Sequence, residues 1–318
     1  MKIVLLDTLT MGSDMNFKSI EALGETVLYG NTSPDKVEER IKDADVVVLN
    51  KVVLDEKVLS TAKNLRLICV FAIGYNNIDI EYCKVHGIKV RNVPGYCSAS
   101  VCQHTFALLF ALIENLRYYD DFVKDGSYSK SGIANHLAKR FFEIEGKKWG
   151  IIGMGSIGRR VADCAAAFGA DVCYSSISGA KREENYPNVP LNELLSECDI
   201  ITVHAPLNEK THHLIGDAEL KMMKKTAVIV NVGRGSVIDE AALKKAIDDG
   251  TIGGAALDVY SEEPPKADSP IMSIRNKEKI VYTPHIAWGS VQARERCISM
   301  TADNIRAFIE GENLNDVI

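Results

Sequence analysis

Trp149-Gly150-Ile151-Ile152-Gly153-Met154-Gly155-Ser156-Ile157-Gly158 is the stretch whose reading decides the fold, and an amphipathic run from Arg159 to Phe168 follows it. A short apolar strand enters a turn with glycines at the first, third and sixth positions, and a helix leaves it. In such a turn the first glycine permits the tight bend and the second lets a pyrophosphate approach the backbone. The third lets helix and strand pack closely. The helix start then presents free N–H groups and the positive end of its dipole to the phosphates. Glycines cluster in many turns, so the flanking strand and helix, and a further strand at Asp171, carry the reading.

Outward from this turn the chain alternates. Ala170 to Ser175, Asp199 to His204, Ala227 to Val232, Ile252 to Val259 and Lys279 to Tyr282 are short apolar runs. With Lys148 to Gly153 they make the six strands of a doubly wound dinucleotide domain. Upstream, Lys2 to Asp7, Thr26 to Tyr29, Asp45 to Asn50, Leu67 to Ala72 and Lys89 to Asn92 form a similar series. Helical periodicities such as Asp35 to Lys42 and Asp55 to Lys63 separate them. Continuous apolar strands between amphipathic helices imply parallel sheets covered on both faces. One long helix is expected from about Ser98 to Lys124, and another over Ser290 to Glu310. The length of 318 residues suits two domains. The boundary is placed near Ala99, and the apolar face of the last helix is expected to return to the first domain.

A net charge of −6 with 46% hydrophobic residues describes an ordinary globular chain and disfavours a nucleic-acid or polybasic membrane surface. The opening Met1 to Asp7 reads as a strand and not as a secretion signal. Val93 to Ile113 lacks charge, but Pro94, Gly95, Gln103 and His104 interrupt it, so a buried helix is expected and not a membrane span. The eight cysteines include no C-x-x-C pair and read as reduced thiols. No metal site is expected. A cytoplasmic location follows as an expectation.

Three further features carry chemistry. Gly233-Arg234-Gly235 follows the strand Ala227 to Val232, at the end where such sheets bind ligands. A guanidinium there suits a substrate carboxylate and an adjacent carbonyl, although an arginine in a turn also reads as surface. Thr283-Pro284 presents His285, whose ordinary pKa suits a general acid for a carbonyl oxygen. Glu263 is a carboxylate able to orient that ring, but spacing does not establish that the three converge. At the end of the second strand of the dinucleotide series, Ser175 stands where an Asp or Glu usually holds the ribose 2′-OH. Ser176, Lys181 and Arg182 follow, serving a 2′-phosphate or lying on a solvated loop. NAD and NADP both stay open.

Gly153 to Gly158, His204-Ala205-Pro206-Leu207, Asn231-Val232-Gly233-Arg234-Gly235, Leu257-Asp258-Val259 to Glu263-Pro264 and Thr283-Pro284-His285 occur in this order over nearly the whole chain. The set resembles the D-isomer-specific 2-hydroxyacid dehydrogenase family. Asn50-Lys51, Ala72-Ile73-Gly74-Tyr75-Asn76, Asn92 to Tyr96 with Gln103-His104-Thr105, and His285-Ile286-Ala287-Trp288 are most similar to its glycerate dehydrogenase, or hydroxypyruvate reductase, branch. The resemblance implies a Rossmann dinucleotide-binding domain, 99–287, inserted in a flavodoxin-like substrate domain, 1–98 plus 288–318. It implies catalytic roles for Arg234 (substrate binding), Glu263 (imidazole support) and His285 (acid/base). Gly153, Gly155, Ser156, Ile157, Gly158, Ser175 and Ser176 are implied at the cofactor, as are His204, Ala205, Pro206 and Thr211. So are Val232, Gly233, Arg234, His285 and Ala287, with Asp258 on the nicotinamide amide. Lys51 and the Ile73-Gly74 backbone are implied at the substrate, beside Arg234, whereas His104 reads as a packing or interface residue. The partners implied are a small 2-oxo or 2-hydroxy acid, best hydroxypyruvate or D-glycerate, and a second copy in a homodimer. Reduction of glyoxylate or apolar 2-oxo acids is the nearest alternative. A dinucleotide-sensing corepressor is the alternative of another class, for which no peptide-docking surface is identifiable.

Overall fold

The computed structural model describes residues 1–179 and 184–318. The chain divides into two compact units, Met1–Cys97 with Gly289–Ile318, and Ser98–Trp288. In the first unit β1 (Lys2–Leu5), β2 (Glu25–Leu28), β3 (Val46–Leu49), β4 (Leu67–Val70) and β5 (Lys89–Arg91) form a parallel sheet in the order β2-β1-β3-β4-β5. β3 and β4 are buried along their whole length, as unbroken Val-Val-Val-Leu and Leu-Ile-Cys-Val runs demand when helices cover both faces. The helix Val291–Ile309 belongs to this unit and buries Ala293, Cys297, Ile298 and Ala302 along one stripe. Beyond it Arg91, 1% exposed, grips the C-terminal segment through Asp316, Asn304 O and Glu312 O.

The second unit holds β6 (Lys148–Ile152), β7 (Asp171–Ser175), β8 (Ile200–Val203), β9 (Val228–Asn231), β10 (Gly254–Leu257) and β11 (Ile280–Tyr282), all parallel, in the order β11-β10-β9-β8-β6-β7. Asn188 adds a one-residue parallel bridge to Tyr174 outside β7, held by Tyr174 N–H to Pro187 O and Val189 N–H to Tyr174 O. Counted as an edge strand, it gives the order of a dinucleotide fold, with the reversal of direction between β6 and β8.

The expected strands are all present, most with shorter ends and β2 shifted by one residue. The long helix differs, breaking into Ser98–Ile113 and Leu116–Lys124, which meet at a 64° bend. Asn115 stands between them in the left-handed region (φ 53°), which its short polar side chain tolerates, and its amide donates back to Ile113 O. Among the described residues no single helix is long and apolar enough to cross a membrane. Ser98–Ile113 is apolar because it is a core helix, with Val101, Leu108 and Leu109 buried.

Candidate active site

The registers align one row across the second sheet: Ser175, Ile152, Val203, Asn231, Leu257 and Tyr282. The next residues along each strand are Ser176, Gly153, His204, Val232, Asp258 and Thr283. The residues singled out in the second unit thus leave one carboxyl edge of its sheet, where ligands bind in open α/β folds.

The glycine turn sits at the reversal between β6 and β8. Gly153 has φ +95°, and a Cβ there would lie 2.8 Å from Ala205 N. At Gly158 a Cβ would lie 2.3 Å from Gly153 O, so the helix Ser156–Ala167 packs on the turn only because that residue is glycine. A Cβ on Gly155 would meet nothing within 4 Å. Each glycine therefore has its own task, and the second faces open space at a helix start. A groove of about 190 Å³ opens there, lined by Gly153, Gly155, Tyr174, Ser176, His204, Ala205, Pro206 and Thr211 among others. Both ring nitrogens of His204 are buried without a partner, and burial holds its pKa down at about 3. It is a neutral imidazole on the groove wall with hydrogen-bonding capacity unspent. Thr211, 1% exposed, donates to Pro206 O and accepts from Asn208 N–H, which fixes the opposite lip. Open glycine, helix dipole and unspent imidazole together fit a dinucleotide.

At the ribose end the structure shifts one expectation by a residue. Ser175 is buried, 5% exposed, and its carbonyl accepts from Gly153 N–H. Strand alternation sends Tyr174 and Ser176 to the groove instead. Ser176 thus lines the groove, its N–H donating to Asn188 Oδ1. Lys181 and Arg182 lie outside the described residues. Ser156 accepts from Ser98 at the helix start; Ile157 and Gly158 follow in that first turn and do not line the groove.

Arg234 follows β9 on a turn drawn tightly inward. A Cβ on Gly235 would lie 1.9 Å from the Tyr260 carbonyl carbon, so only glycine lets this turn lie against the 258–263 segment. Val232 is buried, the Gly233 N–H donates to Asn231 Oδ1, and Arg234 is half-buried with Nη1 on Gly233 O. Glu263 is fixed at both ends: Oε1 accepts from Tyr260 N–H at 3.1 Å, and Oε2 accepts from His285 Nδ1 at 2.6 Å. That pairing turns His285 Nε2 away from the carboxylate. His285 and Arg234 each stand three residues past the aligned row on strands two apart, with β10 between them. Strands β9 and β11 themselves lie about 10 Å apart, at roughly 4.8 Å per step.

Asp258, which the resemblance implies at the nicotinamide amide, follows β10 directly. It is fully buried, and its Oδ1 accepts from Thr283 Oγ1 at 2.6 Å and Ile286 N–H at 2.8 Å, while Oδ2 accepts from Ala287 N–H at 2.8 Å. Burial pushes its pKa up, but His104, Thr283 and the two N–H groups outweigh that and leave it below the ordinary carboxylate value. With no exposed face, its carboxylate anchors the loop internally. Ala287 is likewise buried. Lys51, Ile73 and Gly74 belong to the first unit. Lys51 follows β3 with its N–H on Asp7 Oδ2, and Ile73 O accepts from Asn92 Nδ2. Sequence reasoning missed Asp7 in the first unit, and Gly235 and the His104–Thr283 contact in the second. Only the repeated glycine of Gly-Arg-Gly offered a signal.

The sequence pattern of the D-isomer specific 2-hydroxyacid dehydrogenase NAD binding domain matches residues 106–287. A hydroxypyruvate reductase of Blautia hydrogenotrophica is 36% identical, covering 100% of this chain and 99% of its own. Among solved structures, a D-lactate dehydrogenase from Aquifex aeolicus complexed with NAD and lactic acid superposes with a TM-score of 0.87 at 29% identity, covering 98% of this chain and 96% of that one. An acyclic imino acid reductase in complex with NADPH and D-Arg gives a TM-score of 0.89 at 27% identity, with both chains covered completely. The chain belongs to the D-isomer specific 2-hydroxyacid dehydrogenase family. It is an oxidoreductase acting on the CH–OH group of 2-hydroxy acids with NAD or NADP as cofactor.

Proposed function

We propose that this enzyme interconverts hydroxypyruvate and D-glycerate, with His285 as acid/base, Glu263 as its support and Arg234 as the carboxylate and carbonyl ligand. The 2.6 Å Glu263–His285 pair, one strand from the Arg234 turn, carries the reading. When bound, the reduced nicotinamide supplies the hydride that C2 of the oxo acid takes up. His285 gives the Nε2 proton to the carbonyl oxygen as it becomes an alcohol, leaving neutral imidazole with Nδ1–H on Glu263. Glu263, through its bond to Nδ1, fixes the ring plane throughout. Arg234 offsets negative charge developing on the oxygen and pairs with the carboxylate. The family resemblance adds Lys51 and the Ile73-Gly74 backbone as substrate contacts. The 36% identity to a hydroxypyruvate reductase supports the substrate, glyoxylate being the nearest competitor.

Leu116, Val123, Ile133, Leu137 and Phe141 are each about half or more exposed within one segment of the second unit. We assign this apolar stretch to a second copy in a homodimer, which a monomeric sedimentation profile would exclude. The activity is tested by following NADH and NADPH oxidation with hydroxypyruvate, glyoxylate and pyruvate. His285→Ala is expected to lose about 10²–10⁴-fold in turnover while keeping cofactor affinity. Undiminished turnover would overturn the assignment of His285, and preference for glyoxylate that of the substrate.

A further inference from the structure

The loop that presents His285 is held from three sides. His285 itself has φ +56°, a conformation uncommon outside glycine that persists only where its surroundings impose it. Its N–H donates to Asp258 O, and the next two N–H groups donate to the Asp258 carboxylate. The third support comes from the helix Ser98–Ile113. Ser100 Oγ donates to Ala287 O at 2.7 Å, and one turn on, His104 Nε2 lies 2.9 Å from Thr283 Oγ1 and 3.6 Å from Asp258 Oδ1. Residues four apart share one helix face, so this face holds both ends of the 283–287 loop.

The direction of the chain of hydrogen bonds follows from the charges. Asp258 accepts two backbone N–H groups and keeps its pKa low, so it is a carboxylate and Thr283 must donate to it. The Thr283 oxygen then has only lone pairs left for His104, and His104 Nε2 carries the proton. His104 Nε2–H, Thr283 O–H and Asp258 form one directed series ending on the N–H groups that follow His285. We propose that His104 is a positioning residue for the reaction: through Thr283 and Asp258 it holds the left-handed turn at His285 and so aims the acid/base imidazole. This rests on the role given to His285 above.

His104→Leu removes the donor at similar bulk, His104→Gln restores an N–H at similar reach, and Thr283→Val removes the middle link. His104→Leu is expected to lower kcat by on the order of ten- to a hundredfold, as for a small misplacement of a reacting group. KM and the fluorescence-measured affinity for NADH or NADPH should stay within about twofold, because a displaced loop impairs proton transfer more than binding. His104→Gln should recover most of the loss. The double variant His104→Leu/Thr283→Val should be no slower than Thr283→Val, since links of one series are not additive. Unchanged kcat in His104→Leu, a loss confined to KM, failure of Gln to rescue, or additive losses would each overturn the proposal. If His285→Ala also keeps its turnover, the reading of the site fails; if only the His104 variants are silent, the site stands and the positioning role falls.

Discussion

At the reversal point of the first sheet, between β1 and β3, three successive N–H groups converge on one side chain: Asn50, Lys51 and Val52 donate to the carboxylate of Asp7 at 2.8, 2.6 and 3.2 Å. At the corresponding point of the second sheet, between β6 and β8, no carboxylate lines the groove among the described residues. Gly155 there leaves the helix start facing open space. Both places concentrate backbone donors at the carboxyl ends of parallel strands, which favours an anion. One sheet satisfies them with its own chain, and the other keeps them for phosphate. Parallel topology therefore creates the anion site, and the residue placed at it decides whether that site is structural or binds a ligand.

The largest test of this contrast is Gly158→Ala. The added methyl lies 2.3 Å from Gly153 O, a backbone atom that cannot swing aside. Overpacking of this kind costs about 1–3 kcal/mol and here also displaces the phosphate-facing turn. Thermal unfolding should show a clear loss of stability, and fluorescence titration should show dinucleotide affinity falling with it. A variant as stable as the parent would mean that helix and turn are not packed as described.

The first sheet gives the next effect. Asp7 is 2% exposed, so Asp7→Ala strands three inward-facing N–H groups and should cost about 1–3 kcal/mol in urea unfolding. Cofactor binding, which belongs to the other sheet, should be untouched. Burial raises the Asp7 pKa above its ordinary 3.8 despite its three backbone donors. The folded chain therefore holds that proton to higher pH than the unfolded chain. Its contribution to stability is full below the ordinary value and is lost as pH rises through the raised one. Asp7→Asn removes this fall, so the difference in stability between parent and variant should change across that acid window and be flat at neutral pH. A flat difference throughout would show that Asp7 is not the titrating group.

Legibility in the sequence follows the same division. The glycine turn, the apolar strands and the Gly-Arg-Gly motif are local patterns, and each lies where its spacing implies. Contacts made across the chain left no such mark: His104 meets Thr283 from 179 positions away, and Asp7 meets Lys51 from 44. Asn188 was invisible because one bridge beside Pro187 has no strand period. The helix break at Asn115 is a single left-handed residue inside a pattern that otherwise continues. Ser175 and Ser176 are adjacent and alike, and only strand alternation in three dimensions assigned one to the core and the other to the groove.

Gly155→Ala should have the smallest effect on folding and isolates the ligand's share of the contrast. Gly155 has φ −95° and ψ −164°, an extended conformation open to any residue, and a methyl there touches nothing within 4 Å. Stability should therefore stay within about 0.5 kcal/mol of the parent, as for substitutions away from packed features. The methyl would instead stand where a pyrophosphate approaches the helix start. Lengthening one charge-assisted hydrogen bond, worth about 1.5–3 kcal/mol, should weaken dinucleotide binding by roughly tenfold or more. Calorimetry on the same sample reads both quantities. If affinity holds while stability falls, Gly155 is a folding glycine like Gly158, and the space before it is not the phosphate's.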